Sequence, residues 1–127
     1  MIHLDTNLLI AASDRDDPHV HTFQKVLSLQ RPLYASACAW TEFRSRPLDV
    51  HTERLMRQIL QGGIRPFDEA AAVLAGQLFF QTGSKRRNRL DTMIAATAIL
   101  AGAELATVNP EDFAPFVPHG LKLLSLP

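Results

Sequence analysis

An α/β fold with a largely parallel sheet is what this sequence predicts, on three observations. Short apolar runs ("IHL", "PLYAS", "IRPF", "ELATV" and "LKLLSL") alternate with longer stretches of helical pattern. The runs lack polar alternation, as strands buried on both faces require. Asp5 follows the first run and "NPEDF" follows "ELATV", and parallel sheets gather ligands just beyond the carboxyl ends of their strands.

Taken in order, "IHL" passes through Asp5 into "NLLIAAS", the start of a helix. In "DPHVHTFQKVLSLQ", Asp17 reads as an N-cap with Pro18 at the first helical position, and Val20, Phe23, Val26 and Leu27 recur at helical spacing. Ser36 is set to cap "ACAWTEFRSR". The segment "DVHTERLMRQILQGG" places Leu55, Ile59 and Leu60 on one face ahead of a glycine stop. Asp68 caps "EAAAVLAGQLFFQTG". A basic loop, a helix "LDTMIAATAILAG", the strand "ELATV", a turn "NPEDF" and a last strand near "LKLLSL" complete the chain.

At 127 residues, one domain spanning 1–127 is expected, with enough chain to bury a core. No apolar run reaches the roughly 18 residues of a membrane span. The opening residues lack the basic-then-apolar pattern of a secretory leader. The single cysteine, Cys38, forms no internal disulfide, fits a reducing cytoplasm and reads as a small buried hydrophobe. Formal net charge is zero, which gives no long-range pull on a polyanion. The charge is uneven, because Lys85, Arg86, Arg87 and Arg89 crowd into "SKRRNR" and leave the remainder acidic. Among the histidines, His3 alternates with Ile2 and Leu4 as a strand residue, and His19 and His21 diverge on a helix. Trp40, Phe43, Phe79 and Phe80 read as core or dimer contacts.

Four carboxylates stand at apolar junctions instead of on solvated faces: Asp5, Glu42 in "CAWTEF", Asp91 in "LDTMIAATAIL" and Asp112 in "NPEDF". Singly each has an ordinary role. Asp5 could cap a helix, Glu42 face solvent, Asp91 favour a helix dipole and Asp112 cap a turn. Brought together they would repel, and a divalent cation removes the conflict. Hard oxygen ligands without a Cys or His cluster favour Mg²⁺ or Mn²⁺, ions that activate water and stabilise charge in phosphoryl displacement.

The ordered set "LDTNLLI", "WTEF" and "RLDTMIAATAILAGAELATVNPEDF" resembles the PIN-domain family, in particular its VapC-type ribonuclease toxins of bacterial toxin–antitoxin pairs. The resemblance covers essentially the whole chain. It implies a three-layer α/β/α sandwich around a mainly parallel sheet of four to five short strands. It further implies Mg²⁺- or Mn²⁺-dependent hydrolysis of RNA, with Asp5, Glu42, Asp91 and Asp112 as catalytic and metal-holding acids. Thr6, Asn7, Thr107 and Asn109 match the polar positions that support those acids. Lys85, Arg86, Arg87 and Arg89 would contact RNA phosphates outside the cleft. A homodimer and an antitoxin whose peptide occupies the cleft are the implied partners. Arg46 departs from the family pattern, in which a glycine often follows the motif Glu by about four residues; Arg44 and Arg46 read as surface residues or as the border of the acidic pocket.

Two other readings compete. One is a PIN-like fold kept as a non-catalytic binding module. The other is a phosphatase using Asp5 as nucleophile, against which Asn7 stands where a second Asp is wanted.

Overall fold

The order of five parallel strands explains where this chain can build a site. The computed structural model describes residues 1–126. β1 (Ile2–Leu4) lies at the centre, between β2 (Leu33–Ser36) and β4 (Glu104–Ala106), with β3 (Gly63–Arg65) and β5 (Lys122–Leu123) at the edges. Every pairing is parallel, so each connection must cross over the sheet. α1 (Thr6–Ser13) and α2 (Val20–Ser28) lead from β1 to β2, and α3 (Ala37–Arg44) and α4 (Val50–Ile59) from β2 to β3. α5 (Glu69–Gln81) and α6 (Arg89–Leu100) then carry the chain back across to β4. The short α7 (Pro110–Phe113) and a 3₁₀ segment (Ala114–His119) reach β5.

The first two crossovers step in one direction along the sheet and the later ones in the other. Right-handed connections therefore place α1–α4 on one face and α5–α6 on the opposite face. The packing agrees: α1 contacts α2, α3 and α4, while α5 packs on α6. This is the expected three-layer sandwich with five strands. The direction reverses between β1 and β4, and that switch point opens a crevice at their carboxyl ends.

Local chemistry sets most element ends. Ser36 Oγ accepts from the Ala39 N–H (3.0 Å) and Asp68 Oδ1 from the Ala71 N–H (3.0 Å), capping α3 and α5 as expected. Asp17 does not cap α2. Its carboxylate accepts from the His19 N–H (2.8 Å) in a local turn, and the helix begins two residues later than expected, at Val20. On α4 the buried residue is Met56, with Ile59 and Leu60 beside it, while Leu55 turns out to solvent. Phe43 is core, and Trp40 and Phe79 are half-buried, but Phe80 is 80% exposed and belongs to no core. "NPEDF" is a helical turn, α7, and only Lys122–Leu123 of the last run pairs as strand.

His3 is a strand residue, fully buried, and neither ring nitrogen has a hydrogen-bond partner. Its ring stacks on Tyr34 (centroids 5.7 Å apart), and the Arg65 guanidinium lies 4.9 Å from the same Tyr34 ring. Burial first, then the charge of Arg65 and the N-terminus, lower the His3 pKa to about 4. The unfolded chain takes up this proton near pH 6.5 and the folded one only near 4, so acidification across that window favours unfolding. His3→Leu is expected to flatten the fall in Tm between pH 6.5 and 4; an unchanged pH profile in thermal melts refutes the assignment.

Candidate active site

The end of β1 is where strand, helix and charge meet. The Asp5 N–H donates to the Ala106 carbonyl (3.0 Å), and the Asp5 carbonyl accepts from Leu8 and Leu9 as α1 begins. Its carboxylate is buried and bonded at both oxygens: Oδ1 accepts from the Thr6 N–H (2.8 Å) and Oδ2 from the Thr107 hydroxyl (2.9 Å). Thr107 Oγ1 in turn accepts from the Asn109 N–H (3.0 Å), so the loop after β4 holds Asp5 in place. A carboxylate has about four acceptor sites, and these bonds leave each oxygen with capacity for another partner. Asp5 is thus both a helix cap and an acid facing a cleft.

Three more acids reach that cleft from separate elements. Glu42 comes from the last turn of α3, Asp91 from the first turn of α6 and Asp112 from the first turn of α7. With Asp5 they line an open hollow of about 400 Å³. Thr6, Asn7, Asn109 and Arg46 also line it, whereas Thr107 acts through Asp5. A second hollow of about 520 Å³ shares Asp91 and Asp112 and continues past Arg87, Asn88 and Glu111. The two form one groove.

Electrostatics follow from this crowding. Burial pushes the Asp5 carboxyl up; the bonds from Thr6 and Thr107 oppose that, and the charges of Glu42 and Asp112 add to it. Asp91 is pushed up to about 6, chiefly by burial and then by Asp5, Asp112 and Glu42. No basic residue contributes to either shift.

The donor set is one of hard oxygens, with no His or Cys in the lining, and suits Mg²⁺ or Mn²⁺. The buried Thr6 hydroxyl, at the same wall, has no hydrogen-bond partner. Among the described residues no three His, Cys, Asp or Glu side chains are already gathered closely enough to form a closed ligand set. The acids share a cleft without forming such a set.

The basic residues divide. Arg87 borders the groove, while Lys85 and Arg86 are exposed and line neither hollow. Arg89 lies over the Phe79 ring (4.9 Å) beside an apolar hollow between α5 and α6. Arg44 pairs with Glu53 (3.1 Å). Arg46, read from the sequence as a surface residue or a border of the pocket, lines the cleft. The available signal was its four-residue spacing from Glu42, weakened because α3 stops at Arg44.

A doubly wound α/β domain with a carboxylate-lined crevice at its switch point is the class of protein this fold and site define. The sequence matches the PIN-domain family model over residues 2–114, and the chain belongs to the PIN-domain family, whose members are generally metal-dependent nucleases. Among solved structures it is similar to FitAcB from Neisseria gonorrhoeae (27% identity, TM-score 0.67, covering 98% of this chain and 97% of that one). It is also similar to a toxin–antitoxin complex from Klebsiella pneumoniae (26%, 0.66, 90% and 91%). VapBC2 from Rickettsia felis, bound to a DNA fragment from its promoter, shares the fold (22%, 0.69, 98% and 98%). No curated protein sequence is significantly similar to the chain. No helix among the described residues is long and apolar enough to cross a membrane.

Replacing Asp91 removes a strained charge. The folded protein binds this proton near pH 6 and the unfolded chain near 3.8, so the cost of the ionised form is fully present above pH 6 and absent below 4. Asp91→Asn in chelator is expected to raise Tm by about 2–5 °C at neutral pH. The gain should vanish as the pH nears 4. A Tm change of the same size at both pH values contradicts the charge assignment.

Proposed function

We propose that this protein is a metal-dependent endoribonuclease, the toxin of a type II toxin–antitoxin pair. The observation that carries the reading is the convergence of Asp5, Glu42, Asp91 and Asp112, from four elements, on one cleft at the switch point. Membership of the PIN-domain family supports nuclease chemistry. Similarity to FitAcB and to the Klebsiella toxin–antitoxin complex supports a role beside an antitoxin. RNA as substrate, a homodimer and an antitoxin peptide in the cleft follow from the resemblance to VapC-type toxins. A cytoplasmic location suits all of these partners.

Asp5, Asp91, Glu42 and Asp112 would hold Mg²⁺ or Mn²⁺, which supplies charge neutralisation and an activated water for phosphodiester hydrolysis. The rest of the work falls to the chain. Thr107 donates to Asp5 Oδ2 and fixes the rotamer that faces the cleft. The Thr6 N–H fixes the other oxygen. Asn7 and Asn109 offer amide groups at the cleft wall. Burial keeps the Asp91 and Asp5 carboxyls poorly hydrated, which strengthens their hold on a cation. Arg87, which borders the groove, would be the member of the basic segment to meet a phosphate, and Lys85 and Arg86 would add charge further out. Arg89, engaged with Phe79, contributes least.

The test is cleavage of cellular RNA with Mg²⁺ or Mn²⁺, followed by end mapping. Wild type should cut, chelation should abolish cutting, and Asp91→Asn and Asp5→Asn should fall to background. Identical end maps from wild type and Asp91→Asn overturn the nuclease reading and leave a binding module. Thr107→Val keeps the size of the side chain but removes the bond to Asp5. It should lose about 10–100-fold in activity, with weaker Mn²⁺ binding and an unchanged far-UV spectrum. Full activity in this variant would show that Asp5 needs no such support.

A further inference from the structure

Each of the two adjoining hollows sets one arginine beside the shared acids Asp91 and Asp112. Arg46 lines the cleft that holds Asp5, Glu42, Asp91 and Asp112. Arg87 lines the hollow that continues from Asp91 and Asp112. The two hollows share only those two acids, and each arginine lines one hollow and not the other. Among the described residues neither arginine forms an ion pair, although each has carboxylates in its own hollow. Arg46 also borders a hollow containing Asp14 and Asp49 and pairs with neither. Nor does either cation relieve the upward shift of Asp91 or Asp5.

An arginine kept for stability inside a ring of carboxylates would be expected to pair with one of them, since a charge-assisted bond to carboxylate is among the strongest on offer. These two stay free while the acids beside them stay unneutralised. The arrangement is complementary to a strand with a regular run of negative charges, whose central charge would meet the acids through a cation. Guanidinium groups suit phosphate oxygens in particular.

We propose that Arg46 and Arg87 bind the substrate phosphates on either side of the one that reacts, so that a single RNA strand crosses the cleft from one arginine to the other. This rests on the nuclease reading above and extends it to the path of the substrate. Both are substrate-binding residues; neither is assigned to the chemical step. Sequence choice does not follow from such contacts, because phosphate contacts position a strand and carry no base information.

The probe is a mixed-sequence, single-stranded, fluorescein-labelled RNA of about a dozen nucleotides. It is titrated by anisotropy in Mg²⁺ between about 50 and 200 mM salt. Asp91→Asn protein is the background, so that the strand survives. Each phosphate contact on a single strand contributes about 0.7 to the slope of log K against log salt. Arg46→Gln and Arg87→Gln should each lower that slope by about 0.7 and the double variant by about 1.4, with several-fold weaker binding at low salt. Arg46→Lys, which keeps the charge, should restore the slope and so exclude misfolding as the cause. An Arg46→Gln slope equal to the background overturns the proposal, as does absence of salt-dependent RNA binding in the background itself. Weakened binding of a polyglutamate peptide with unchanged RNA binding would assign Arg46 to a protein partner and likewise overturn it. Cleavage by the wild-type protein is scored separately: its absence refutes the nuclease reading, whereas the slopes report the strand path alone.

Discussion

Asp5 is the residue on which fold and site both depend. Its backbone extends the β1–β4 pairing by one step, its carbonyl starts α1, and its carboxylate joins the two loops that flank the switch point. A buried carboxylate costs free energy unless it is bonded, and here Thr6 and Thr107 supply the bonds. The Thr107 bond depends on the parallel register that brings Ala106 beside Leu4, whereas the Thr6 bond is local to the start of α1. The acid is therefore held by the sheet, and the loop after β4 is held by the acid. A purely structural cap in this place would do better as Ser or Asn, which carry no charge to bury. That a charged residue stands there, beside three others, is a cost in stability that a functional cleft explains.

The same logic accounts for where the arginines are not. Arg31 pairs with Glu104, Arg44 with Glu53 at 3.1 Å, and Arg57 with Glu53 at 3.3 Å. Arg65 lies over Tyr34 and Arg89 over Phe79. Each cation is satisfied away from the acidic cleft by a carboxylate or an aromatic face, so Asp5 and Asp91 keep their raised pKa values. Glu42 and Arg44, two residues apart at the end of α3, illustrate the sorting: one points to the cleft and the other to α4. The helical twist that separates neighbours on α3 is what keeps its base from neutralising its acid.

How much of this was legible in the sequence depends on the range of the interaction. The strand runs, the crossover helices and the Ser36 and Asp68 caps are local matters of pattern and hydrogen-bonding chemistry, and they appear where expected. The switch-point location of Asp5 followed from its position at a strand end. Asp17 misled because an Asp before Pro satisfies a turn as readily as a helix cap. Met56 instead of Leu55 is a matter of helix phase, since both are apolar and adjacent and only the packing of α4 against α1 decides between them. Phe80 is exposed on the outer side of α5, where an aromatic side chain gives no sequence sign of its direction. The division of "SKRRNR" was illegible for a further reason. A 3₁₀ turn at Arg86–Asn88 passes directly into α6 and sends Arg87 and Arg89 to different walls.

A formal charge of zero conceals the most informative property of the surface. Averaged over the whole molecule the charges cancel, and screening at physiological salt confines each to about 8 Å. Within that range four acids share one cleft, and an arginine lines each of the two adjoining hollows. Such a pattern attracts nothing from afar but discriminates sharply on contact. Under the proposed function a small dication would be drawn to the acids, a polyanion would gain at the arginines and lose at the acids, and a strand would fit well only with the cation present. Unpaired ions of opposite sign, side by side and unreconciled, are an unstable arrangement for a fold to maintain. The chain maintains it by spreading the acids over four elements and keeping Arg46 and Arg87 beyond ion-pair distance of them. Selection for stability alone would close those gaps; the cation and the phosphate strand of the proposed function would require them open.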